Sequence, residues 1–428
     1  MYLSLSEKTV KKIITELLIS TNGNTNTTVI DIFSNLCENN FHHECIKLLI
    51  DSGIDVTTND NYAFKNASIN GHLEIVKLLI DSGKVDVSMD DKYAFKKASI
   101  NGHLEIVKLL IDSGKVDVSM DDNYAFKKAS KYGHTEVVRL LLSTGKIDAT
   151  ADDNYAIKYA SSNGHVEVVN LLLSIEGIDV IAENNFAIRF ACKNGHLEIV
   201  KLLLSTEKVD ATANNNYAIM HASYNGHSSV VKLLLSIDKV DATTYNNFAI
   251  KSASSNGHLK VVKLLLSTGK VDVTADDNYV IKYASRYGHL EVVKLLLSID
   301  KVDVTAENNY AITFASINGH LEVVKLLLLT EKIDLANVFD VTILRVSNMI
   351  KMEAKSNSTN LDKIPQMMKK NNICKIVSKG EKVMLTTKGD TNIESSEILQ
   401  LMKGCNVSEC KYNDETSIFK YKAKKVIG

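Results

Sequence analysis

Asn278 to Lys294 reads NYVIKYASRYGHLEVVK and continues as LLLSIDKVDVTAENN before the same text starts again. Its Gly-His pair recurs at 71-72, 102-103, 133-134, 164-165, 195-196, 226-227, 257-258, 288-289 and 319-320, always 31 residues apart. A fixed period between 20 and 50 residues marks one small unit stacked many times. A single copy can be read directly. In YAIKYASS, residues 155–162, Ala156, Ile157 and Ala160 form one face of a short helix whose small side chains allow a neighbour to approach closely. Asn163-Gly164 ends that helix, because glycine readily takes the left-handed conformation of a helix C-terminus. A second helix, His165 to Ser174, carries Val168, Leu171 and Leu172 on one stripe and Glu167 and Asn170 on the other side. IDVIAENN, residues 178–185, follows as an extended loop leading to the next first helix. Helices of two turns are marginal in water, so neighbouring copies must supply the missing core.

Copying explains a skewed composition: twenty Gly and twelve His in 428 residues, with one Pro and no Trp. A formal net charge of −1 argues against a nucleic-acid or membrane-surface binder along the whole chain, since both need excess Lys and Arg. No apolar run is long enough to span a bilayer, and the stretch from Met1 to Ser20 reads as an amphipathic helix instead of a secretory signal. Cys37, Cys45, Cys192, Cys374, Cys405 and Cys410 lack paired spacing, which fits a reducing compartment, cytosol or nucleus.

The unit resembles the ankyrin repeat. GHLEVVKLLLSIDKVDV at 288–304 and GHLEIVKLLIDSGKVDV at 71–87 match the family's second helix closely. The first helix departs: Tyr-Ala-Phe-Lys at 124–127, Tyr-Ala-Ile-Lys at 155–158 and Phe-Ala-Ile-Arg at 186–189 stand where the family has Thr-Pro-Leu-His. With a period of 31 against the family's 33, the fingers are expected to be short. Pro-less, Lys- and Asn-rich repeats of this kind look most like the ankyrin proteins of giant amoeba-infecting viruses of the mimivirus type. The resemblance implies an all-α ankyrin-repeat solenoid of helix-turn-helix units over 31–349, about ten repeats with a partial C-terminal cap at 338–349. Residues 1–30 are expected to form a capping helix and polar linker, and 350–428 a Lys-rich tail with an unassigned fold.

Chemistry-bearing motifs are sparse. Nine of the twelve His sit in Gly-His and His42 holds the equivalent place, so they read as turn residues, not ligands. No phosphate-cradling glycine loop occurs and no paired carboxylates face one cleft, so no catalysis, metal or cofactor is expected. The informative signal is where copies differ. The residue two before the glycine of the inter-helix turn reads Ile69, Ile100, Lys131, Ser162, Lys193, Tyr224, Ser255, Arg286 and Ile317. The finger reads Asn59, Asp90, Asp121, Asp152, Glu183, Asn214, Tyr245, Asp276 and Glu307. The resemblance implies that both places face the concave, partner-binding side, so a protein partner, such as a host protein, is expected there. Drift at exposed sites gives the same variation. Lys65, Lys96, Lys127, Lys158, Arg189, Lys251 and Lys282 form a stripe that partly neutralises the finger acids.

The tail is net basic. KIVSKGEKVMLTTKG at 375–389 alternates around Gly380 as a hairpin does, 395–404 reads as a helix, 355–360 as a linker and KYKAKK at 420–425 as a solvated basic end. Protein binding without a small-molecule substrate, membrane or nucleic acid is the expected function. The alternative is an adaptor that links a bound target to a ubiquitin ligase through the tail.

Overall fold

Small and large apolar residues at fixed offsets decide where each helix of a copy lies and what it buries. The computed structural model describes residues 6–20, 27–40, 42–85, 87–333, 373–379, 382–387, 407–413 and 418–423. In the copy read above, the first helix lies within Ala151–Asn163 and buries Ala156, Ile157 and Ala160. The second, Val166–Leu173, buries Val168, Val169 and Leu172. Leu171 is only partly covered, so the stripe is rotated by one residue from the expected one.

Contacts divide the chain into two units, Met1–Ala218 and Ile219–Gly428. In the first, the first helices Thr27–Asn39, Thr58–Asn70, Val87–Asn101, Met120–Tyr132, Ala151–Asn163 and Ala182–Asn194 pack one against the next. The second helices, from His43–Asp51 to Leu197–Leu204, form a parallel layer, and the N-terminal helix Glu7–Ser20 packs on His43–Asp51 in that layer. The second unit repeats the arrangement with first helices Thr244–Ser255, Ala275–Arg286 and Ala306–Ile317 over second helices from Ser228–Leu235 to Leu321–Leu328. Within the described residues the array is all-α.

The finger differs from the extended loop expected of it. Asp152, Asp153 and Asn154 have φ of 54, 53 and 60°, a single left-handed turn, and the same triplet recurs at 121–123, 183–185, 245–247, 276–278 and 307–309. Such backbone costs an L-residue roughly 1–2 kcal/mol, and Asp and Asn tolerate it best because their short side chains bond locally. That backbone requirement accounts for the Asp- and Asn-rich spelling.

Copies are stitched by side chains as well as by apolar packing. The Nε2–H of His103 donates to the Ile69 carbonyl at 2.7 Å, that of His165 to Lys131 at 2.9 Å and that of His258 to Tyr224 at 2.9 Å, in each case reaching 34 residues back. The Asn two residues before the His donates to the same carbonyl, as Asn163 does to Lys131 at 2.8 Å. The glycine between them cannot be replaced: at Gly71 a Cβ would stand 2.6 Å from Nδ1 of His103 in the next copy. The third finger residue completes the set. Asn185, 8 % exposed, accepts the backbone N–H of Asp210 through Oδ1 at 2.8 Å.

Beyond the array, β1 (Ile373–Lys379), β2 (Lys382–Thr387), β3 (Val407–Asn413) and β4 (Ile418–Ala423) form an antiparallel sheet in the order β2-β1-β3-β4. The hairpin read around Gly380 is the β1–β2 pair, with Lys379 opposite Lys382. Lys420 to Ala423 of the basic end lie in β4 and pair with β3, so they are strand and not free tail. The cap at 338–349, the linker at 355–360 and the helix at 395–404 lie outside the described residues.

Candidate functional site

Ion pairs between copies line the first-helix side. Five lysines of the stripe reach forward to the finger of the next copy, Lys96 to Asp121, Lys127 to Asp152 at 3.3 Å, Lys158 to Glu183, Lys251 to Asp276 and Lys282 to Glu307 at 2.7 Å, and Lys65 pairs with Asp60 of its own finger at 2.5 Å. The Lys158 and Lys282 side chains are 4 % and 3 % exposed, while their acids stay about half exposed. A buried ammonium needs such a partner. The hydrogen bond from Lys251 holds the Asp276 carboxyl below the usual carboxylate range.

Where one member of a pair changes, so does the other. Arg189 stands opposite Asn214 and bonds instead to the Asn184 and Glu183 carbonyls of its own finger, at 2.8 and 2.9 Å. Met220 stands in the lysine column where the next finger carries Tyr245. Asp121, Asp152, Glu183, Asp276 and Glu307 are thus committed to holding adjacent copies together. The side chain of Asp90 lies outside the described residues, and Tyr245 is 60 % exposed.

The turn positions come together with a ring ladder that sequence reading passed over. In the first unit Tyr155 and Tyr159 have ring centroids 4.2 Å apart, Tyr159 and Phe186 5.4 Å, Phe186 and Phe190 4.1 Å, and Phe190 and Tyr217 5.8 Å. Lys131 lies over Tyr159 and Lys193 over Phe190, at 5.1 and 5.4 Å from the centroids. In the second unit Tyr279, Tyr283, Tyr310 and Phe314 continue in the same way, with spacings of 4.0, 5.6 and 4.1 Å. Arg286 lies 4.8 Å from the Phe314 centroid and donates to the Tyr310 hydroxyl at 2.5 Å. Tyr224 and Ile317 are 48 % and 39 % exposed, whereas Ile69 and Ile100 are partly covered. The aromatic columns were visible every 31 residues. They looked like framework because one member of each copy is almost constant.

A hollow of about 680 Å³ opens in the second unit between Tyr224, Phe248, Ser252, Ser255, Tyr279 and Tyr287, with Lys251 and His289 at its edge. Burial, reinforced by the neighbouring His258 and His320, keeps the His289 imidazole below its ordinary pKa. Desolvation pushes the buried Cys37 and Cys192 thiols far up, which leaves them poor nucleophiles. Among the described residues no three His, Cys, Asp or Glu side chains come together as metal ligands, and no helix is long and apolar enough to cross a membrane.

A family model described as ankyrin repeats (3 copies) matches residues 6–92, 33–122, 95–184, 188–277 and 250–339. The chain belongs to the ankyrin repeat family. No curated protein matches it at comparable stringency. Ankyrin repeats are in general protein–protein interaction modules and typically lack enzymatic activity, so the ladder and the hollow lie on a scaffold of the interaction kind. The family match carries no information on a viral source.

Proposed function

We propose that this ankyrin array is a non-enzymatic scaffold that holds a protein partner on its first-helix side, the concave side of the family. One observation carries this reading. Of the positions that differ between copies, half-covered Lys131 and Lys193 in the first unit and Arg286 in the second lie over the rings of their own unit, and exposed Tyr224 lines the hollow, whereas the variable finger acids are taken up by lysines of adjacent copies. Aromatic and arginine side chains on a rigid support are the groups that most often anchor protein interfaces. The opposite layer offers exposed i,i+3 pairs such as Glu198–Lys201 and Glu291–Lys294, which contribute little and are alike from copy to copy.

Affinity capture with the full chain tests the proposal. A variant carrying Lys131→Ala, Lys193→Ala and Tyr224→Ala should lose the protein that the unaltered chain enriches, by at least tenfold. A variant with Glu198→Ala and Glu291→Ala should retain it. Loss in the second variant and retention in the first would reverse the assignment of faces.

A further inference from the structure

In six copies the ring that opens the first helix is covered by the side chain four residues later. Lys97 lies over Tyr93 and Lys128 over Tyr124, at 5.4 and 5.3 Å. Tyr159, Phe190, Tyr283 and Phe314 stack on Tyr155, Phe186, Tyr279 and Tyr310 at 4.0 to 4.2 Å. Phe248 has a serine at that place. His221 of the preceding copy flanks it at 6.3 Å, but four residues on stands Ser252, whose hydroxyl turns back to the Ala249 carbonyl at 3.1 Å. The hollow described above is the space this serine leaves.

The chain's own copies show what fits there. A ring at that place stands about 4 Å from the ring before it in the same copy and 5.4 to 5.8 Å from the first ring of the next copy, here Tyr279. Several polar groups around the hollow are already engaged. Ser255 donates to the Lys251 carbonyl at 2.9 Å, Asn256 to Tyr224 at 3.0 Å and His289 to Ser255 at 2.8 Å, while Lys251 is paired with Asp276. An occupant of this ring-lined space therefore gains chiefly by stacking. Charge lies beside the hollow: the Arg286 guanidinium, which donates to the Tyr310 hydroxyl, is 5.7 Å from the centroid of the lining residue Tyr287 and has no carboxylate partner among the described residues.

Resting on the protein-binding reading above, we propose that the gap at Ser252 is a socket for one aromatic side chain from an acidic segment of the partner, which completes the ladder between Phe248 and Tyr279. Discrimination comes from the ring, and the rim arginine favours flanking carboxylates.

The test uses the full chain and two probes, N-acetyl-Glu-Phe-Glu-amide and its Glu-Leu-Glu twin, followed by saturation-transfer NMR. The unaltered chain and Ser252→Ala, which keeps the socket open, should saturate the phenyl protons and bind the leucine peptide at least fivefold more weakly. Ser252→Phe fills the place from within, as Tyr283 and Phe314 do in their copies, and should weaken the Phe peptide at least tenfold with an unchanged thermal midpoint. Phe248→Leu, which removes the stacking floor, should act in the same direction. Equal binding of the two peptides, or undiminished binding of the Phe peptide by Ser252→Phe, would overturn the socket. That outcome would leave the capture experiment, and the protein-binding reading, standing.

Discussion

At the scale of single residues, the finger asparagine offsets the strain around it. Three consecutive left-handed residues cost several kcal/mol by the usual figure of roughly 1–2 kcal/mol each, and Asn185 recovers part of this by satisfying the otherwise buried N–H of Asp210. Asn185→Ala should lower stability by about 1–3 kcal/mol, because it strands that donor as well as removing a residue suited to positive φ. Urea unfolding of the two proteins measures this, and equal midpoints would contradict it. Titration adds a second expectation. Hydrogen bonds from the Thr two residues on hold the carboxyls of Asp55, Asp148 and Asp272 below their ordinary pKa, so their contribution is present above about pH 4 and fades as pH falls through the lowered values. His289 works in the same direction for the opposite reason. Its folded pKa is lowered by burial, the unfolded chain takes up the proton first, and stability falls as pH drops below about 6.5. The urea midpoint should thus be flat above pH 7 and decline in two stages on acidification, with the first stage reduced in His289→Gln.

Between elements, the forward-reaching lysine is the most distinctive link. Lys282 is buried and Glu307 half exposed, so removing the acid alone leaves a charge without its partner, whereas removing both leaves an ordinary apolar contact. Glu307→Gln should cost about 1–2 kcal/mol and Lys282→Met less, with the double variant near the unaltered chain and hence a coupling of about 1–3 kcal/mol. Met220 already occupies the equivalent place where the next finger carries no acid. A double-mutant cycle by denaturant unfolding decides, and additive losses would show that the pair is not coupled. This link also marks the limit of what the sequence conveys. Gly-His at a period of 31 was enough to place both helices and the turn between them, because their signals are local. The partners of His165, Asn185 and Lys158 lie 34 residues back or 25 residues on, offsets that depend on how copies stack. The left-handed finger was missed because Asp- and Asn-rich text reads equally well as open loop.

For the molecule as a whole, the neutral formal charge conceals a division of labour. Finger acids and buried lysines cancel one another, and the accessible cations Lys131, Lys193 and Arg286 are interleaved with rings. The sequence pointed to variable positions, but it could not separate those paired across copies from those lying over the rings, since both lie at exposed-looking sites; Glu183 and Lys131 differ in this respect only once the copies are stacked. In the tail, alternation around Gly380 revealed one hairpin, while the pairing of β1 with β3 joins segments about thirty residues apart that no local pattern connects. The assignment of recognition to the first helices is tested most directly by hydrogen–deuterium exchange of the full chain with and without its captured partner. Protection is predicted at the turns after the first helices, around Lys131, Lys193, Tyr224 and Arg286, with the second helices such as Leu197–Leu204 and Leu290–Leu297 unchanged. Protection confined to the second helices would contradict the account.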